Sequence, residues 1–316
     1  MAKQMQAAVY DEFGSADKIQ IKTIDLPELK EGEVLVKIKA AAVNPVDSAV
    51  REGYLKTFIP INFPAIPGWD VAGIVEERAY SARRFEVGDE VYAYARRPLV
   101  QYGTFAEYIV IPESYLALKP KTLSFEEAAG IPLVGLTAFQ SLIDAGRLQE
   151  NQTVLILGAS GGIGTMAIQL AKEKGATVIG VASEKNHVYM KELGADYTVD
   201  YKETDLAAAI KRISPEGVDL IFDAASGETL QKSLDTLKPK GKLVSILNHG
   251  NDLPETINFH YVFVEPNSKE LAALAEMAEK GHLKVPVSAR FPLDQTAEAM
   301  RQIETHHTRG KIVIIP

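Results

Sequence analysis

Short apolar runs, punctuated by Gly and Pro, fill the first 120 residues. Runs at 6–10, 33–42, 71–76, 90–94 and 106–111 have strand length, and Pro45, Pro60, Pro64, Pro67, Pro98 and Pro112 separate them. That spacing predicts a small β-barrel-like domain. The pattern changes near Leu123. Ser124-Phe125-Glu126-Glu127 has the Ser-x-x-Glu form of a capping box, and a helical run through 138–143 follows, interrupted by Pro132. Apolar strands at 153–157, 177–182, 197–199, 218–222 and 242–247 then alternate with helical patterns at 163–174, 186–193, 205–213 and 228–237. Such alternation implies βαβ units and a parallel sheet. A further strand at 260–264 and a helix at 268–280 follow. The last 35 residues return to short strands around a helix at 293–303 and end on a strand at 311–315. The expected fold class is α/β. A doubly wound parallel sheet occupies 124–266, and a β-barrel domain is assembled from 1–123 and 267–316.

The segment Leu155-Ile-Leu-Gly158-Ala-Ser-Gly161-Gly162-Ile-Gly164 carries the most chemical information. An apolar strand runs into a glycine cluster that opens directly into a helix. One glycine serves a tight turn, one lets backbone approach a pyrophosphate, and one allows close helix–strand packing. The helix start at Ser160, Gly161, Gly162 and Ile163 offers free N–H groups and a positive dipole end to phosphates. That context favours a dinucleotide site over a merely structural turn. NAD-preferring sites end the second strand on an acidic residue. Here that strand ends in Ala182-Ser183-Glu184-Lys185-Asn186. Ala182 holds the acidic slot, and Ser183 with Lys185 suits a 2′-phosphate, with Tyr201 able to close the same pocket. NADP(H) is therefore favoured over NAD(H), which would need Glu184 to bind the ribose one position late.

Ligands of such sheets sit at the carboxyl ends of the strands. That rule selects Ala224-Ala225-Ser226 after the fourth strand and Leu247-Asn248 after the fifth.

Composition narrows the partners. The 316 residues carry a net charge of −8 with no block of like charges, which argues against nucleic acid and anionic membrane surfaces. No apolar run approaches the ~20 residues of a membrane span, and the first residues lack the apolar core of a signal peptide. A cytoplasmic protein acting on a small molecule is expected. Cysteine is absent, so thiol chemistry and disulfides are excluded.

Taken in order, "AAAVNPVDSAVREGY", "FPAIPGWDVAGIVEE", "VGDEVYAY", "GTFAEYIVIP", "IPLVGLTAF", "LILGASGGIG", "LGAD" and "HTRGKIVI" resemble the zinc-independent quinone oxidoreductase branch of the medium-chain dehydrogenase/reductase superfamily, along essentially the whole chain. The resemblance implies a GroES-like catalytic domain built from both ends, a Rossmann domain between them, NADPH as cofactor and a homodimer. Zinc-dependent relatives place Cys where Asn44 stands and Gly-His-Glu where this chain has Gly68-Trp69-Asp70. With no Cys, and with His187, His249, His260, His282, His306 and His307 all outside the N-terminal half, no zinc site is expected.

Hydride donation to a quinone or an electron-poor C=C needs no metal, whereas alcohol oxidation loses its Lewis acid. In the position of the lost ligand, Asn44 could donate to a substrate oxygen, hold the nicotinamide, or simply cap the following turn. Asp47 is expected to cap or orient that loop. Tyr54 is a candidate proton donor or substrate-orienting phenol, although many relatives place the tyrosine two residues after the glycine and here Gly53 and Tyr54 are adjacent, which leaves a packing role equally open. Thr137, Phe263 and Val264 resemble nicotinamide contacts, and Arg309 and Lys311 resemble cleft-lining residues, with a surface position equally open. The expected activity is NADPH-dependent reduction of quinones or α,β-unsaturated carbonyls. The alternatives are a 2-enoyl-thioester reductase, with Arg83-Arg84 or Arg96-Arg97 receiving a carrier phosphate, and a non-catalytic NADPH-binding protein of crystallin-like or sensory type.

Overall fold

A computed structural model describes residues 3–203, 205–305 and 308–316. His306 and His307, two of the histidines weighed as metal ligands, lie outside the described residues. The chain divides into two compact units. One comprises Met1–Leu133, Glu265–Gly281 and Val285–Pro316, and the other Val134–Val264 with His282–Lys284.

In chain order the first unit begins with β1 (Gln4–Val9), β2 (Gln20–Asp25), β3 (Glu33–Val43), a short helix α1 (Pro45–Arg51), β4 (Asp70–Arg78), β5 (Glu90–Tyr94), β6 (Tyr108–Pro112) and β7 (Leu116–Leu118). Helix α2 (Phe125–Ala129) starts on the expected capping box: Ser124 Oγ accepts the Glu127 N–H at 3.2 Å, and the Glu127 carboxylate accepts the Ser124 N–H at 2.9 Å. Pro132 does not interrupt a helix but begins one, α3 (Pro132–Phe139), at a position that needs no N–H.

The second unit follows as β8 (Thr153–Leu157), α4 (Gly162–Glu173), β9 (Thr177–Ala182), α5 (His187–Glu192), β10 (Tyr197–Asp200), α6 (Leu206–Ile213), β11 (Val218–Asp223), α7 (Gly227–Ser233), β12 (Leu237–Ser245) and β13 (Asn258–Tyr261). Asp205 caps α6 by accepting the Ala208 N–H at 2.9 Å. The chain then re-enters the first unit with α8 (Ser268–Glu279), β14 (Val287–Pro292), α9 (Thr296–Glu304) and β15 (Lys311–Ile315).

The first unit holds a seven-stranded sheet in the order β14-β15-β3-β4-β5-β7, with β6 paired to β3, and a separate β1–β2 pair. Its core is the aliphatic face of β3, β4, β6 and β15, including Val34, Val36, Val71, Val75, Ile111 and Ile312. The unit extends to Leu133, past the expected boundary at 123, because Asp70 on β4 binds the Leu133 N–H at 2.7 Å.

In the second unit the order is β10-β9-β8-β11-β12-β13 with parallel pairing throughout. Counted from β8 this is 3-2-1-4-5-6, the Rossmann order, so the strand order reverses between β8 and β11. The glycine loop leaves β8 at that switch point. Because the strands are parallel, every residue that follows a strand end lies at one edge of the sheet.

Candidate active site

Asn44 follows β3 in extended conformation and Pro45 starts α1, a helix where Asn-Pro alone suggests a capped turn. Asp47, three residues on, accepts the Asn44 backbone N–H at 2.8 Å, so its carboxylate caps the helix as expected. The Asn44 side chain turns inward and is buried. Its amide N–H donates to Asp70 Oδ2 at 2.8 Å, and its carbonyl oxygen accepts from Lys311 Nζ. The ammonium of Lys311 also lies 3.5 Å from Asp70 Oδ2. The Asn44 amide is thus engaged within the chain rather than offered outward. Lys311, rather than lying at the surface, is buried at the start of β15.

Burial dominates the electrostatics of this group. It pushes the Asp47 carboxyl up to about 8 against the opposing pull of the Asn44 N–H. It raises Asp70 and lowers Lys311, and each charge offsets part of the cost to the other. Asp47 Oδ1 and the Ser48 hydroxyl are buried without a hydrogen-bond partner.

The donor set does not suit zinc. An amide, an indole and a carboxylate already beside a lysine ammonium stand where metal ligands would be needed, and a second cation would meet that ammonium. No group of three or more His, Cys, Asp or Glu able to hold a metal occurs among the described residues. Trp69 packs edge-on to Tyr94, ring centroids 6.0 Å apart.

Tyr54 lies just beyond α1 and is 74% exposed, and Arg309 is exposed before β15. Of the four arginines weighed for a carrier phosphate, Arg83 stacks over the Tyr80 ring at 5.5 Å and the other three bind within the chain. Arg84 binds the Glu113 carbonyl and Ser268, Arg96 pairs with Glu265, and Arg97 pairs with Glu33.

In the second unit the glycine loop has the shape its sequence implies. Gly158 adopts φ +76°, and a Cβ on Gly164 would stand 2.4 Å from the Gly158 carbonyl oxygen. Only glycine permits α4 to start so close to β8. A Cβ on Gly161, by contrast, would find its nearest neighbour at 3.5 Å. Ser160, Gly161, Gly162 and Ile163 are half-buried at the helix start, where first-turn N–H groups have no partner within the helix. This cradle fits a pyrophosphate. Strand β9 ends on Ala182 as expected, and Asn186 Nδ2 ties Ser160 Oγ (3.1 Å) to Ser183 Oγ (3.0 Å). Lys185 and Tyr201 are exposed at the same edge, with the Lys202 ammonium 5.9 Å from the centre of the Tyr201 ring.

Ala225, Leu247, Asn248 and Phe263 follow β11, β12 and β13 along that edge, Val264 next in the chain is buried, and Thr137 is buried on α3. Leu247 is 51% exposed, an apolar surface suited to a flat ring. Asn248 is different. Its amide donates to Asp252 at 2.8 Å and its carbonyl accepts the Gly250 N–H at 2.6 Å, so the side chain shapes its own loop. Sequence reasoning missed Asp70, Asp223 and Ser245. The available signal was a polar residue bounding an apolar strand run, at the start of β4 for Asp70 and at the close of β11 and β12 for the other two.

A doubly wound sheet with a glycine cradle at its switch point, joined to a unit built from both ends of the chain, defines a dinucleotide-dependent oxidoreductase. Two family models match: the alcohol dehydrogenase GroES-like domain over residues 30–121 and the zinc-binding dehydrogenase over 193–314. The second stretch contains neither Asn44 nor residues 68–70, so that description does not bear on the zinc question. The chain is 36% identical to an NADPH-dependent alkenal/one oxidoreductase, chloroplastic, of Arabidopsis thaliana, over 99% of this chain and 80% of that protein. It is 35% identical to a 2-methylene-furan-3-one reductase of Solanum lycopersicum, over 99% and 79% respectively. The solved quinone oxidoreductase from Coxiella burnetii superposes with a TM-score of 0.89 at 32% identity, covering 99% of this chain and all of that one. The chain belongs to the zinc-independent quinone oxidoreductase branch of the medium-chain dehydrogenase/reductase superfamily. No helix among the described residues is long and apolar enough to cross a membrane.

Proposed function

We propose that the protein is an NADPH-dependent, zinc-free reductase of quinones or α,β-unsaturated carbonyls. The observation that carries this reading is the carboxyl edge of the parallel sheet. A glycine cradle there lies beside a second strand that ends on Ala182 instead of a carboxylate, with Ser183, Lys185 and Tyr201 around it. Gly162 and Ile163 offer backbone N–H groups to the pyrophosphate, Gly161, whose own N–H donates to the Gly158 carbonyl at 3.1 Å, lets it approach, Ser160 lies beside it, and Ser183 and Lys185 recognise the 2′-phosphate. Thr137, Ala225, Leu247, Phe263 and Val264 hold the nicotinamide, which when bound supplies a hydride. On the first unit, the exposed Tyr54 phenol is the group able to deliver a proton to substrate, and Asn44, through Asp70 and Lys311, fixes the start of the helix that precedes it.

The names of the relatives, an alkenal/one oxidoreductase and a quinone oxidoreductase, support this substrate class. The enoyl-thioester alternative is the weaker one, since Arg84, Arg96 and Arg97 are engaged within the chain and Arg83, stacked over Tyr80, is left to receive a carrier phosphate. A cytoplasmic homodimer completes the reading. The test is NADPH oxidation against quinones, enones, alkenals and enoyl thioesters, with KM for NADPH and NADH compared. Turnover of enones or quinones with the lower KM for NADPH is expected. A lower KM for NADH would overturn the cofactor assignment, and an intact NADPH complex without turnover would select the non-catalytic alternative.

A further inference from the structure

Asp223 closes β11 and Ser245 closes β12, and the two are register partners on adjacent parallel strands. Both are fully buried. Asp223 Oδ1 accepts the backbone N–H groups of Ala225 (3.1 Å) and Ser226 (2.6 Å), while Oδ2 accepts the Ser245 hydroxyl at 2.6 Å. The Ser245 oxygen in turn accepts the N–H groups of Leu247 (3.1 Å) and Asn248 (2.8 Å). One carboxylate and one hydroxyl therefore set the path of the loops after both strands.

The first of these loops is strained. Ser226 lies at φ +59° and ψ −171°, a region essentially restricted to glycine. Its N–H is the one held at 2.6 Å by Asp223, so the carboxylate maintains a backbone conformation that the residue itself disfavours. No salt bridge reaches Asp223 among the described residues. A buried carboxylate satisfied only by N–H and O–H donors costs desolvation, and the adjacent strand β8 and the next one, β9, end without one, on Leu157 and Ala182. The fold does not require a charge at this place. Fixed loops do.

We propose that Asp223 and Ser245 are positioning residues that lock the 224–226 and 247–248 loops into the shape that receives the nicotinamide end of the cofactor. The inference rests on the reading of this edge as the cofactor site. Deleting the bridge leaves the glycine cradle and the strands in place but lets both loops relax.

The test measures NADPH binding by fluorescence titration, together with amide exchange at residues 225, 226, 247 and 248, on the full chain. Ser245→Ala is expected to weaken NADPH binding on the order of tenfold, in keeping with the loss of a buried hydrogen bond to a charged group, and to speed exchange at those four amides. Ser245→Thr, which keeps the hydroxyl, is expected to restore both. Asp223→Asn should weaken binding more. If that variant fails to fold, Ser245→Ala and Ser245→Thr carry the test alone. A Ser245→Ala protein with a lower Tm but unchanged NADPH affinity would overturn the proposal and leave a purely structural role. A parent protein that binds neither NADPH nor NADH would overturn the underlying reading and the proposal with it.

Discussion

Asp70 in the first unit and Asp223 in the second are both 0% exposed at strand ends, yet their surroundings are opposite in kind. Asp70 has a cation, Lys311, and shares the Asn44 side chain with it. Asp223 has backbone N–H groups and a serine hydroxyl. The first arrangement is a closed set in which removing one member strands a charge. The second converts a carboxylate into loop geometry. The difference shows how one fold can bury charge for two purposes: to tie β3, β4 and β15 together, and to fix the loops that follow β11 and β12.

The comparison breaks most severely at Lys311. Lys311→Met keeps volume but removes the counter-charge, and a loss of about 3–5 kcal/mol is expected from urea unfolding. Asp70→Asn combined with Lys311→Met should recover most of it. A single-variant loss below about 1 kcal/mol would mean that the pair is not coupled. Gly164→Ala comes next, because its Cβ would meet the Gly158 carbonyl oxygen at 2.4 Å. A loss of about 1–3 kcal/mol is expected, with NADPH binding abolished. Gly161→Ala sharpens the point: with its nearest neighbour at 3.5 Å it should fold with stability within ~0.5 kcal/mol of the parent and still bind NADPH more weakly. Equal NADPH affinity in that variant would remove Gly161 from the cradle.

Asp47 offers a pH-dependent view of the first unit. Its carboxyl is held up to about 8 in the folded chain, against about 4 when unfolded. The folded state then binds more protons than the unfolded state between those limits. The associated stability is complete below about pH 4 and falls as pH rises toward 8, at up to about 1.4 kcal/mol per pH unit. Asp47→Asn should flatten that part of the profile in thermal melts from pH 5 to 9, and an unchanged slope would show that Asp47 ionises freely. The smallest effect on the fold is expected at Tyr54. Exposed as it is, Tyr54→Phe should change stability by less than ~0.5 kcal/mol, and kcat should drop on the order of a hundredfold if the phenol delivers the proton. An unchanged kcat would assign that proton to water.

Much of this was legible in the sequence wherever period and length were strong. Strands 90–94, 153–157, 177–182 and 311–315 match β5, β8, β9 and β15 residue for residue, because apolar runs bounded by turn residues leave little freedom. Strand β2 was not legible: Gln20–Asp25 mixes polar and apolar residues and is mostly exposed, so no buried face announces it. Nor was β7, with only three residues. Helix α1 is short and was masked by Asn-Pro, which reads equally as a turn. The glycine cradle was visible because its physics is local. The Asn44–Asp70–Lys311 cluster was not, since its members are separated by up to 267 residues and only strand pairing brings them together. A charged residue at the edge of an apolar strand looks the same in sequence whether it faces solvent, a cation or a backbone loop.

The most direct test is NADPH consumption with an enone or quinone substrate before and after exhaustive treatment with EDTA. Sustained oxidation of NADPH at an unchanged rate is the expected result. Activity abolished by the chelator and restored by zinc would contradict the assignment of a metal-free reductase.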